Sequence, residues 1–291
     1  MTRTVSDATA TRRARWMVVL SAALLIVCEL PAQPVALRVR PRVGDTLRVR
    51  MEQESEMAVE RSRSDTVTYR MSLLTLSRIL VKGYDDQGTA VESIIDSVAM
   101  STSTGSGKSV YGGAGPDAAL RALRGKRARM LFALDGAAHL LPGDPAPAPG
   151  LESLMSLFPA TLPDHPVSLG ESWTQTMDIP LAGQTGTESA SLTRVTFRLD
   201  SLTRGATLAY ISMRGSVVRD SSAAPLAQGV RMTVNGSITG TLLVDRKRGW
   251  LTDARTQMVV HSVFTPPAQS ALQPMRISTR VNQRTRLADD K

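Results

Sequence analysis

The sequence predicts a mainly β protein of long, curved antiparallel strands with two short helices. Three observations carry this. Apolar residues recur at every second position over stretches of twelve to sixteen residues. Turn residues bound those stretches. Helix signals are confined to two brief segments. Hairpin spacing and one-sided alternation favour antiparallel pairing. The strands form either one shared, half-barrel-like sheet or two similar sheets.

Thr46 to Val59 is the first strand. Leu47, Val49, Met51, Met57 and Val59 share one face, and Arg48, Arg50, Glu52, Glu54, Glu56 and Glu60 share the other. Thr66 to Val81 follows, with Val67, Tyr69, Met71 and Leu73 on one face and then Leu74 and Leu76 on the other. That change of phase predicts a bulge or bend between Leu73 and Leu74. Tyr84-Asp85-Asp86-Gln87-Gly88 reads as a hairpin turn, and Thr89 to Met100 as the returning strand.

The second half repeats the pattern. Val195, Phe197 and Leu199 alternate with Arg194, Thr196, Arg198 and Asp200, and Ala209, Ile211, Met213 and Val217 follow on one face. Positions 230 to 244 place Val, Met, Val, Gly, Ile, Gly, Leu and Val at every second residue. Gly236 and Gly240 within that run imply strong curvature or a close backbone approach. Asp245 to Gly249 turns the chain. Ala254, Thr256, Met258 and Val260 precede a last strand in which Met275, Ile277, Thr279 and Val281 oppose Arg276, Arg280, Arg284 and Arg286.

Pro116 to Arg124 has the signals of a short helix: Pro near its start, Asp117 in the first turn, arginines in the last and Gly125 after it. Leu151, Leu154, Met155 and Phe158 give a second amphipathic turn or two, stopped by Pro159. A Gly-rich loop is expected from Ser103 to Gly115. Residues 142–150, rich in Pro and Gly, form a linker between a first β half, 33–141, and a second, 151–291.

The two halves share a faint repeat. Pro41-Arg42-Val43-Gly44-Asp45-Thr46-Leu47 matches Val167-Ser168-Leu169-Gly170-Glu171-Ser172-Trp173, and Leu131-Phe132-Ala133-Leu134-Asp135-Gly136 matches Leu242-Leu243-Val244-Asp245 with Gly249-Trp250. The Gly-Asp strand start, together with Leu162-Pro163-Asp164-His165-Pro166-Val167-Ser168-Leu169-Gly170-Glu171-Ser172-Trp173, resembles a group of uncharacterised secreted bacterial proteins. That resemblance implies no known activity. Long curved strands with a plugging helix also look like the half-barrels that carry lipids or lipoproteins across a periplasm, a likeness of architecture alone.

Residues 1–32 read as a secretory signal. Arg3, Arg12, Arg13 and Arg15 precede an apolar run from Trp16 to Cys28, and cleavage is expected after Ala32. The protein is therefore expected in the periplasm or outside the cell. Cys28 is the sole cysteine, and a lipid anchor on it is the alternative at this end, so the mature chain has no thiol chemistry, disulfide or Cys-based zinc site. Removing four arginines and two acids from a chain of net charge +9 leaves +7. A basic exported protein meets anionic envelope components rather than nucleic acid, and its four Tyr, four Phe and three Trp are few for base stacking.

Tests for chemistry come out negative. Ser106-Gly107-Lys108-Ser109 lacks the first glycine of a phosphate loop, because Thr102 stands in its place. His139, His165 and His261 lie far apart, with His261 on a wet strand face and His165 in a Pro-rich loop beside Asp164. Asp85-Asp86 sits where a turn wants Asp. No cofactor or metal is implied, and a non-enzymatic role is expected. A carboxylate-dependent hydrolase using Asp85 or Asp164 is one alternative, and a structural or docking protein of the envelope pairing through an edge strand is another.

The remaining expectation is an apolar ligand, a lipid or lipophilic group, on the concave face of the sheet. The inner faces carry Met51, Met57, Met71, Met213, Met232, Met258 and Met275, and flexible methionines accept varied apolar shapes. Arg276 and Arg286, near strand ends, are expected to meet an anionic headgroup.

Overall fold

The structure, a computed structural model, describes residues 33–62, 65–105, 122–141, 161–179, 191–219, 229–270 and 273–288. Its strands are β1 (Thr46–Ser62), β2 (Asp65–Tyr84), β3 (Gly88–Thr104), β4 (Arg127–Ala133), β5 (Ala138–Leu140), β6 (Ser172–Ile179), β7 (Ser191–Leu202), β8 (Leu208–Arg219), β9 (Arg231–Asp245), β10 (Trp250–Thr265) and β11 (Met275–Leu287). All eleven join one antiparallel sheet in the order β5-β4-β3-β2-β1-β11-β10-β9-β8-β7-β6. Two five-strand meanders, β1–β5 and β6–β10, thus progress in the same sense across the sheet, and β11 joins β1 to β10. The strands on either side of residues 142–150 belong to one shared sheet.

Period two sorts the side chains into two faces, and directly paired residues share a face. One face is apolar: Val49 lies opposite Leu287, Met57 opposite Thr279, Met258 opposite Val281, and Leu242 opposite Ala254 and Ile211. The other is polar and is pinned by ion pairs between neighbouring strands. Arg70 reaches Glu56 at 2.9 Å, Arg78 reaches Asp96 at 2.9 Å, and Lys82 and Arg127 both reach Glu92.

The sheet curls toward its apolar face. Phe132 on β4 meets Trp250 on β10 edge to face, with centroids 4.9 Å apart. Five strand spacings of about 4.8 Å separate β4 from β10, so a flat sheet would hold them roughly 24 Å apart. Glycines permit the bend. A Cβ at Gly236 would lie 2.3 Å from the Val259 carbonyl oxygen, and one at Gly240 would lie 2.3 Å from that of Arg255. The close approach expected at these two positions is present.

Two segments outside the strands tie the curled edges together at one end. Residues 33–41 bury Val35, Leu37 and Val39, and bond Val167, Leu134 and Gly249 through backbone groups. Thr161 and Leu162 donate their N–H groups to the Asp135 carbonyl in the β4–β5 turn. Trp173 on β6 donates its Nε1–H to the Thr161 carbonyl at 2.9 Å. The main core fills this end: Leu47, Val81, Val91, Met130, Phe132, Phe197, Leu199, Ile211 and Val244 are all buried there.

The repeat has a hydrogen-bond signature. Gly44 donates to the Val81 carbonyl, Val81 donates to the Asp45 carbonyl, and Asp45 donates to that of Arg42. Gly170 donates to Leu199, Leu199 to Glu171, and Glu171 to Ser168 in the same pattern. Both glycines have positive φ, 89° and 83°.

Some expectations change. No register shift occurs between Leu73 and Leu74. The shifts in β2 lie between Leu76 and Ser77 and between Val81 and Gly83. Leu74 and Leu76 stay on the polar face, opposite Glu52 and Arg50, half-buried among long side chains. β3 runs on to Thr104, into the segment expected as loop. The helix expected at 116–124 lies mostly outside the described residues, although Ala122 and Leu123 are helical and Gly125 leaves with φ 77°. The amphipathic segment 151–158, the linker 142–150, Ser106-Gly107-Lys108-Ser109 and the signal 1–32 lie outside them entirely.

Candidate functional site

The packed core ends partway up the apolar face. Beyond it the sheet continues toward the far ends of β1, β2 and β11, where Met57, Val67, Tyr69, Met71, Leu73, Ile277 and Val281 are half-buried around a buried Val59. Val217, Met232, Val234 and Val260 form a smaller separate cluster on the β8–β10 side. The site is thus the open part of a curled apolar face whose other end is filled.

This surface carries no charge. From Met232 to Val244 on β9, across Ala254–Phe264 of β10, Met275–Leu287 of β11 and Leu47–Val59 of β1, to Val67–Thr75 of β2, every residue on the apolar face is uncharged. A belt of neutral polar side chains crosses it. Gln53, Gln283 and Thr256 align in one row across β1, β11 and β10. Thr75 and Thr285 flank Met51 in the adjacent row. Both threonines are buried.

All seven methionines singled out from the sequence lie on the apolar face. Their roles differ. Met51, Met213 and Met232 are 5%, 6% and 4% exposed and serve as packing. Met258 is half-buried and touches both clusters. Met71 and Met275 are also half-buried and belong to the open part. Arg276 and Arg286 do not join them. Arg276 lies opposite Glu60 and Val263, and Arg286 opposite Arg50 and Asp253, all on the polar face. The sheet itself separates both arginines from the methionines, because period two alternates neighbours. Sequence reasoning missed Thr75, Gln53 and Gln283. Their alternation was visible, but only the pairing register brings them side by side.

The polar face has its own open groove of about 580 Å³, lined by Glu52, Glu54, Thr239, Thr241, Arg255, Gln257, Asn282 and Arg284 among others. Arg284 holds Asp253 through two bonds of 2.8 and 3.1 Å, and Arg255 adds a third contact at 3.3 Å. Burial pushes the Asp253 carboxyl upward, but the bonds and charge of Arg284 and Arg255 outweigh it and hold its pKa below the usual value.

The other candidate groups have local structural partners. Asp85 accepts the N–H groups of Gln87 and Gly88 at 2.8 and 3.0 Å, which closes the hairpin turn. His165 lies between Asp164, at 2.7 Å, and Glu171, at 3.3 Å. Its pKa is raised by the hydrogen bond to Asp164 and by Glu171, against desolvation. His261 is exposed and meets Ser278. His139 is exposed on β5. Among the described residues, no three His, Cys, Asp or Glu side chains are arranged to hold a metal ion. No helix among them is long and apolar enough to cross a membrane.

Residues 150–251 are similar to a family of unknown function, DUF6263. No curated protein matches the chain. Among solved structures, one titled "Lipid-protein interactions in lipovitellin" superposes with a TM-score of 0.52 at 12% identity, over 86% of this chain and 26% of that one. The chain therefore spans about a quarter of that protein's length, and the likeness is one of fold.

Proposed function

We propose that this is an exported envelope protein that binds a lipid or similar apolar ligand in the open part of its curled sheet, and that it is not an enzyme. The observation that carries the reading is the charge-free apolar face, packed at one end and only half-buried at the other over β1, β2 and β11. A monomeric fold rarely leaves a contiguous apolar surface without a use. The fold likeness to lipovitellin supports the same class of ligand. The net charge of +7 after loss of residues 1–32 suits a protein that works near anionic envelope surfaces. Asp85 and Asp164, the carboxylates considered for a hydrolase, are engaged by a turn and by His165.

Titration with a fluorescent hydrocarbon probe tests the reading. The protein should bind the probe saturably, and Leu73→Asp should reduce affinity at least tenfold by placing a charge on the open face. Glu54→Gln, in the polar groove, should leave binding unchanged. A loss confined to the groove variant would favour a docking role on the polar face instead.

A further inference from the structure

One group on the apolar face is chemically out of place. The Thr75 hydroxyl is fully shielded from solvent, in a residue 8% exposed, and has no hydrogen-bond partner among the described residues. Buried hydroxyls nearly always have a partner, and an orphan asks for a water or a ligand. Thr75 lies between Met51 on β1 and Val98 on β3, at the boundary where the packed core gives way to the open surface of Leu73 and Met71. Gln53, in the next row, is the nearest amide on the face. None of these neighbours is charged.

We propose that Thr75 is the polar anchor of the lipid site: the ligand displaces the groups that shield the hydroxyl, which donates to an uncharged oxygen of the ligand, an ester carbonyl whose chains lie over Leu73, Met71 and the half-buried surface beyond. This deepens the lipid-binding reading and rests on it. A carboxylate or phosphate is disfavoured at this position because no cation lies on the apolar face among the described residues to neutralise it, and a buried unpaired charge is far costlier than a buried ester. The ligand class is therefore a neutral acyl ester, rather than a fatty acid or an anionic headgroup seated at the core.

The test compares three probes of one chain length, each displacing a fluorescent hydrocarbon from the full-length protein: methyl oleate, the matching octadecene and oleate. Wild type should prefer methyl oleate to octadecene by about tenfold, the value of one hydrogen bond to a buried group, and should bind oleate more weakly than methyl oleate. Thr75→Val, nearly equal in volume, should abolish the preference for the ester and leave octadecene binding unchanged. Thr75→Ser keeps the hydroxyl and should behave as wild type. Equal losses for ester and hydrocarbon in Thr75→Val, or no loss for either, overturn the anchor while leaving the lipid reading intact. A wild type that binds none of the three overturns both. The ligand-free Thr75→Val protein should melt no lower than wild type, since an orphan hydroxyl has been removed.

Discussion

Asp253 sits on the polar face in contact with two arginines, Arg284 diagonally across on β11 and Arg255 two residues along β10 itself. Its side chain is 24% exposed, so these charge-assisted bonds are worth more than those of a surface pair. The folded pKa lies below the unfolded value of about 3.9. The stabilisation is therefore complete above the unfolded value and is lost as pH falls through the folded one. Asp253→Asn should lose about 1–2 kcal/mol in urea unfolding at pH 7, and the gap to wild type should close at strongly acidic pH. A gap independent of pH would show that packing, not charge, was removed. At this scale the sequence told which face a residue occupies but not what it meets there. The seven methionines were readable as apolar-face residues. Arg276 and Arg286 were readable as opposing that face, and the register keeps them on the polar face, across from Glu60 and Val263 and from Arg50 and Asp253. Thr75 gave no signal, because its importance lies in a missing partner.

At the scale of elements, glycine placement decides the curl. Gly236 on β9 presses against the backbone of β10, and even a methyl group there would force the strands apart. Gly236→Ala should cost about 1–3 kcal/mol, as overpacking does in a filled interior, readable as a drop in thermal midpoint. An unchanged midpoint would mean that the close approach relaxes freely. The long strands were legible, since alternation over a dozen residues has few other readings. The supposed bulge at Leu73 was not, because Leu74 and Leu76 fold onto the polar face among the stems of charged neighbours. The segment from Leu162 to Trp173 was visible as a motif, and the structure supplies its physical cause. Leu162 and Val167 are buried, Gly170 takes positive φ, Glu171 Oε2 accepts the Ser168 N–H at 2.8 Å, and Trp173 bonds Thr161. Each is a fastening of the closed end.

At the scale of the molecule, the chain builds one curled sheet from two similar meanders, fills one end and, at the other, leaves the apolar face of β1, β2 and β11 only half-buried. Which end is filled depends on residues 33–41 and 161–167 crossing between distant strands, contacts that no local pattern announces. The central claim is that this open, charge-free surface is occupied by lipid. Native mass spectrometry of the protein gently purified from the cell envelope, followed by solvent extraction, tests it most directly. The expected result is a chain beginning at Gln33 that carries a releasable neutral acyl-ester lipid. A ligand-free chain whose apolar face stays inaccessible to added hydrocarbon probe would contradict the account.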